Sequence, residues 1–352
     1  MAKIFVSIIF LISGISLFSQ IGGKYTYQFL TVPTNSRIAA MGGNNVSHYD
    51  NDINFAYSNP GLLRMEMADK IMLNYINYVS DINFGNVSYV RNFDNVGIFA
   101  AGIQYSNYGK FLHTDEVGTI LGDFVPAEYA ISVSHARPIN SEEKWNVGAT
   151  FKLIISDFWE YSSFGVALDA GISYIDTASN FSAGLVVKNL GSQIKPYTKG
   201  NYEPLPADIQ IGITKRFAHA PFRFSLTAQD LLNWNLSHKS VFTQETLQLN
   251  ETEPKETFFD KVGDVGDEIL RHFILGVEFI PHKNFYVALG YNFKRRAEMK
   301  LPNRPKLVGM SIGFGLQLSK FNISYGIASY HAAGASNHFS VGINLSSFYK
   351  KI

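Results

Sequence analysis

The sequence predicts an all-β fold: an outer-membrane antiparallel β-barrel of about fourteen strands, with an N-terminal plug segment ahead of the first strand. Three observations carry this reading. From Lys70 onward apolar residues alternate with small or polar ones at a period of two, the alternating stretches are long, and the joints between them are by turns brief and extended.

The chain opens MAKIFVSIIFLISGISLFSQ, with one Lys, an apolar run from Ile4 to Phe18, then Ser19 and Gln20. A basic start, an apolar run and a small residue form the pattern of an export signal, here residues 1–19. The run of about 15 residues is shorter than the roughly 20 a spanning helix needs. No later window is longer, so a mature protein embedded in a membrane would have to cross it with strands.

Residues 20–69 show no strand pattern and contain NFAYSNPGLLR, from Asn54 to Arg64. Pro60 removes a backbone donor and Gly61 admits conformations that other residues avoid, so the string is a turn. Lipid offers no partners to such a backbone. The segment is therefore expected inside the barrel or at its periplasmic mouth.

Fourteen strands are expected over residues 70–78, 82–93, 96–108, 127–138, 145–156, 163–176, 180–190, 207–217, 221–231, 270–281, 284–294, 306–319, 321–331 and 337–348, making 70–352 the barrel. Most run about 9 to 14 residues, longer than the 5 to 6 usual in soluble proteins and long enough for a tilted strand to cross a bilayer. Long joints fall at 109–126, 191–206, 232–269 and 295–305, and short ones near Asp94, at 139–144, 177–179, 218–220, 282–283 and near Lys320. Short periplasmic turns opposite long surface loops are the habit of outer-membrane barrels. The joint near Ser80 is an exception.

Leu307 to Leu318 shows the pattern most clearly. Val308, Met310, Ile312, Phe314, Leu316 and Leu318 share one face, and Gly309, Ser311, Gly313, Gly315 and Gln317 the other. A soluble sandwich also alternates, but its polar faces are charged and solvated. Here the polar face is mostly Gly, Ser, Asn and Ala, and its few charges, Lys152, Asp169, Asp208, Arg216, Arg223 and Lys294, are assigned to the lumen, where opposite signs can pair. On the lipid face Ile312→Arg is expected to impair insertion, while Gly313→Ser on the lumen face is expected to be mild. Phe93, Tyr105, Tyr174, Phe217, Phe279, Tyr291, Phe293 and Phe348 fall near strand ends, as interfacial girdles require.

Composition narrows the chemistry. A formal net charge of +1 suggests neither nucleic acid nor an acidic substrate, and the absence of Cys excludes disulfides, thiolate metal sites and a thiol nucleophile. The string GMSIG at Gly309–Gly313 matches a nucleophile elbow in letters only, because Ser311 falls within a strand rather than at a strand-to-helix turn. His331 and His338 flank a small loop but lack a third metal ligand nearby. The basic segment from Lys294 to Lys306, with Arg295, Arg296 and Lys300, is read as a solvated loop tip, with engagement of lipopolysaccharide phosphate or an acidic partner as its functional alternative. The acidic one, with Gln244, Glu251, Glu253, Glu256 and Asp260, lies in the longest loop and is read as an ordinary solvated loop or one that docks a protein.

The blocks IGGKYTYQFLTVPTNSRIAAMGG, NFAYSNPGLL, NYINYVSDINFG, AAGIQYSNYGKF, HAPFRFSLTAQDLLNW and ISYGIASYHAAGASNHFSVGI together resemble the PorV/PorQ branch of the FadL-like outer-membrane barrels, found in the type IX secretion system of Bacteroidota. The resemblance spans nearly the whole mature chain. It implies a fourteen-stranded barrel with an N-terminal hatch at 20–69, in which Asn59, Pro60, Gly61 and Leu62 form the hatch motif. It also implies a location in the outer membrane of a Gram-negative bacterium of the Bacteroidota, and a non-enzymatic role without cofactor or metal. The expected partners are outer-membrane lipid and lipopolysaccharide, a soluble surface protein similar to PorZ, and PorU and PorV in one attachment complex, with no nucleic acid. The alternative is a FadL-like transporter of hydrophobic small molecules.

Overall fold

The computed structural model describes residues 25–139, 142–234, 236, 266–299, 307–331 and 334–348, apart from the side chains of residues 330 and 331. The leader, the loop positions Gln244, Glu251, Glu253, Glu256, Asp260 and Lys300, and the His331 side chain lie outside the described residues. Two five-residue helices come first, α1 (Ser36–Ala40) and α2 (Asn54–Ser58). The strands follow: β1 (Lys70–Asn77), β2 (Asn83–Phe93), β3 (Gly97–Asn107), β4 (Phe111–Thr114), β5 (Ile120–Phe124), β6 (Ala127–Pro138), β7 (Trp145–Phe158), β8 (Tyr161–Asp176), β9 (Phe181–Lys195), β10 (Asp208–Arg216), β11 (Phe222–Ala228), β12 (Phe273–His282) and β13 (Phe285–Asn292). Helix α3 (Phe293–Met299) then precedes β14 (Met310–Gln317), β15 (Phe321–His331) and β16 (Gly334–Asn344).

Fourteen of these strands close into one antiparallel barrel. Neighbours in sequence are neighbours in the wall, except that β3 pairs with β6 across a small separate hairpin, β4–β5. The seam joins β1 to β16, from Lys70 opposite Asn344 to Asn77 opposite Asn337.

The alternation has the physical sense expected of it. In β14 Met310, Ile312, Phe314 and Leu316 are exposed on the outer face, while Ser311, Gly313 and Gly315 are buried toward the lumen. Val308, read as part of that outer stripe, precedes the strand and is buried. Aromatic rings meet in tilted or edge-to-face pairs along the outside, including Tyr105 with Tyr129, Trp145 with Tyr174, Phe222 with Phe279, and Tyr291 with Phe293.

Three departures from the expected boundaries have physical causes. The connection at 109–126 contains β4 and β5, which are too short to show a period. Strand β9 continues to Lys195 because a bulge at Asn189, in the left-handed region at φ 56°, shifts the register against β8 and ends the simple alternation. The strand expected to reach residue 294 stops at Asn292, whose Oδ1 accepts from Arg295 N at 3.0 Å and starts α3 as a helix cap does. The basic segment thus begins as a helix rather than a loop. The last strand lies at 334–344 rather than 337–348, and a 3-10 turn follows it.

Residues 25–69 occupy the inside of the wall. Tyr27, Phe29 and Leu30 pack against Ile76, Phe84, Ile154 and Leu205, and Ile38, Met41, Phe55 and Leu62 against Ile175, Ile280 and Tyr286. Ile53, Leu63 and Met67 meet Met72, Val90 and Ile98. Backbone bonds place the two ends of the segment. Thr26 N donates to Pro204 O within a long connection, while Asp69 N and Asp69 O pair with Val90 and Leu345, where β2 turns and the wall ends.

Candidate functional site

The hatch motif is seated by its backbone. Asn59 Oδ1 accepts from Gly61 N at 2.9 Å, capping the short turn Pro60–Leu62, and Asn59 Nδ2 donates to Val46 O at 2.8 Å. Asn146 Nδ2 donates to both Gly61 O and Leu63 O at 2.8 Å, and Ser173 Oγ to Gly61 O at 2.6 Å. The buried polar groups of the turn are thus satisfied by the wall, as burial requires. Close approach also explains the wall's glycines here. A Cβ on Gly148 would lie 2.3 Å from Pro60 O, and one on Gly184 2.0 Å from Val46 O.

A buried ionic cluster ties the first half of the hatch to β11 and β12. Asn35 Oδ1 caps α1 by accepting from Ile38 N at 2.8 Å, and this short helix carries Arg37 into the lumen. Arg37 Nε donates to Glu278 Oε1 at 2.8 Å and Nη2 to Asp50 Oδ2 at 3.0 Å, with Tyr286 beneath the guanidinium at 4.1 Å. Arg37 Nη1 is 4.0 Å from Asp52, an ion-pair distance too long for a hydrogen bond. Arg223 Nη1 reaches Glu278 Oε2 at 3.1 Å and Asp50 Oδ2 at 3.4 Å.

Histidine 48 lies within this cluster, fully buried and stacked on Phe55. Burial, joined by Arg223 and Arg37, lowers its pKa to about 4 despite the pull of Glu278. A neutral ring leaves Nε2 free to accept from Arg223 Nη1 at 2.5 Å, so the carboxylates 3.6 and 3.8 Å away are not its salt-bridge partners. Burial raises the Asp50 carboxyl, but the Arg37 and Arg223 guanidinium groups outweigh it and hold the group well below the ordinary range. At Asp52 burial prevails and the shift is upward.

A second cluster sits among the longest strands. Lys152 is 1% exposed, pairs with Asp169 Oδ2 at 2.6 Å and donates to Asn189 Oδ1 at 2.9 Å. The bulge at Asn189 returns a bond from its N–H to Asp169 Oδ1 at 2.8 Å. In a third cluster Tyr108 OH donates to Glu128, which also accepts from Ser156 Oγ at 2.9 Å, and Tyr197 OH donates to Ser156 at 2.5 Å.

The lumen charges read from sequence therefore scatter. Lys152 meets Asp169, and Arg223 joins the hatch cluster. Asp208 stands across from Lys188, whereas Arg216 is exposed at the short-turn rim. Lys294 lies on α3 and pairs with Asp230 at 3.0 Å, with Arg295 and Arg296 beside it on the same helix. Sequence reading missed Arg37, His48, Asp50, Lys188 and Glu278. For Glu278 a signal existed, since it is a carboxylate at an inward position of a strand that is otherwise apolar or glycine there. No group of three or more metal-ligating side chains occurs among the described residues.

A closed fourteen-stranded antiparallel wall, apolar outside and polar within, is an outer-membrane β-barrel. It is similar in fold to the structure described as "TodX monoaromatic hydrocarbon channel deltaS2 mutant", at 12% identity and a TM-score of 0.50, over 89% of this chain and 97% of that one. Further matches are a Pseudomonas aeruginosa FadL homologue, at 11% identity and TM-score 0.42 over 88% and 98%, and the KdgM porin, at 6% and 0.33 over 78% and 98%. No protein-family model and no curated protein matches the chain.

Proposed function

We propose that this barrel is a non-enzymatic, non-conducting scaffold of the PorQ kind, working in a type IX secretion system. In this reading it holds a PorZ-like soluble protein at the surface of a Bacteroidota outer membrane, in a complex with PorU and PorV, and contacts lipopolysaccharide. The observation that supports it is the seating of the hatch: Arg37 and Asn59, both buried in the lumen, and partly exposed Asp50 bond directly to the wall or to each other. A barrel whose bore is occupied in this way offers its surface loops and rim as the working parts. The sequence resemblance supplies the particular partners.

A second reading, a channel for apolar small molecules, is favoured by the fold likeness to the TodX channel. Against it stand cavities lined by Lys188, Asp208, Gln210 and Asp230 at one end and by Asp50, Glu66, Asp176 and Arg216 at the other. An apolar solute gains nothing from such walls, and desolvating them is costly. Pull-down from detergent-solubilised outer membrane separates the readings. Recovery of a soluble surface protein that is lost when residues 244–267 are deleted supports the scaffold. Unchanged surface retention, together with lost uptake of an apolar solute, supports the channel.

A further inference from the structure

The register sets Lys188 of β9 directly opposite Asp208 of β10 on the lumen side. Adjacent opposite charges in a lumen would be expected to close on one another. They do not: no hydrogen bond or ion pair links them, and the Lys188 ammonium has neither among the described residues, although the side chain is 8% exposed. Asp208 instead turns Oδ2 to Gln210, whose Nε2 donates to it at 2.8 Å. That bond leaves Asp208 Oδ1 and Gln210 Oε1 buried with no hydrogen-bond partner, and Gln210 is 5% exposed.

All three groups line one cavity of about 320 Å³, between the hatch and the wall. Exposed Thr31 and Glu298 also line it, so it communicates with solvent at the end bearing the long connections. Of its other charges, Lys294 and Asp230 are matched at 3.0 Å, and Arg295 and Glu298 lie on α3 at its edge. Buried acceptors left unpaired cost free energy, and the Lys188 side chain lines the same cavity with its ammonium open to an anion. Here they share a space far larger than one water, which occupies about 30 Å³.

We propose that this cavity is a binding site for a small zwitterion. Its anionic group sits on Lys188, and its ammonium donates to Asp208 Oδ1 and Gln210 Oε1. One ligand then satisfies the open cation and both open acceptors, which neither a simple anion nor a simple amine does. Two sources carry this chemistry: a free α-amino acid, and the phosphoethanolamine headgroup of a lipid.

The test is calorimetric titration of the full chain, in a non-ionic detergent, with L-serine, O-phosphoethanolamine, inorganic phosphate and ethanolamine in turn. At least one zwitterion is expected to saturate the site, with phosphate and ethanolamine, which each carry charge of one sign only, at least tenfold weaker. Serine alone identifies the free amino acid as the source, and phosphoethanolamine alone the lipid headgroup. Lys188→Met and Asp208→Asn are each expected to weaken the zwitterion at least tenfold. Binding of none of the four overturns the proposal, as does phosphate binding as tightly as the zwitterions. Should either variant fail to insert, the ranking of the four probes on the unmodified protein decides alone.

Discussion

Gly171 in the wall and Asn59 in the hatch approach so closely that a Cβ on the glycine would stand 2.0 Å from Asn59 Oδ1. Contacts of this kind recur along the hatch, and the wall residues that allow them are small. The fit between hatch and wall is therefore tight enough to be tested by single methyl groups.

Gly148→Ala sets a methyl 2.3 Å from Pro60 O, a backbone atom that cannot swing aside as a side chain would. Overpacking of this sort costs about 1–3 kcal/mol. Thermal unfolding in detergent should show the loss, and limited proteolysis should cut between residues 25 and 69 sooner than in the unmodified protein. Gly200→Ala, where nothing lies within 4 Å of the added Cβ, carries only the strain of a left-handed backbone and should leave the hatch protected.

Arg37→Met removes one of the two cations shared by Asp50 and Glu278, leaving buried Glu278 and partly exposed Asp50 with Arg223 alone. Breaking a buried pair from one side costs about 3–5 kcal/mol. Adding Glu278→Gln should recover part of that loss, giving a double-mutant coupling energy that a merely space-filling role for Arg37 would not produce.

Ile312 is 50% exposed on the outer face, so Ile312→Arg is expected to cost about 2–4 kcal/mol near the bilayer midplane. Folding yield into lipid vesicles measures it. Gly313→Ser, expected from the sequence to be mild, is not a fair control. Its Cβ would lie 2.6 Å from Tyr325 O and 2.7 Å from Ala40 of the hatch. Both substitutions should impair the protein, the first at insertion and the second at seating of the hatch. Ile312→Leu is the neutral comparison.

Stability should fall on acidification between about pH 6.5 and 4. The His48 pKa is lowered to about 4 in the folded protein, so across this window the unfolded chain takes up a proton that the folded one refuses. The full effect is on the order of 3 kcal/mol at 1.36 kcal/mol per pKa unit. Asp50, held low, adds a loss in the same direction only below its ordinary range, while Asp52, raised, opposes it at the acid end. Denaturant midpoints at pH 7 and pH 5 should therefore differ, and His48→Gln should flatten the difference.

The wall is legible in the sequence because a strand with lipid on one side and lumen on the other must alternate, as β1, β6, β10 and β14 do along their length. Legibility fails where the period breaks or the pairing is remote. The bulge at Asn189 ends the alternation before β9 itself ends, and the short β4 and β5 never establish one. The cluster around Arg37 is invisible for a different reason. Its members lie up to 241 positions apart, and only the register that sets Arg223 against Glu278 brings two of them together. Asn59 was legible as part of a turn, but the wall glycines that receive it were not distinguishable from any other small lumen residue.

The hatch also changes the parity of the chain's path. An even number of strands alone would return both chain ends to one side of the bilayer. Thr26, however, bonds into the long connection at Pro204, whereas Asp69 meets Leu345 beside the end of the last strand. Between Tyr25 and Phe348 the described polypeptide therefore threads the bore once more than it crosses the lipid, an odd number of passages. Tyr25 and Phe348 end up on opposite faces, and a label attached at one cannot report on the compartment seen by the other.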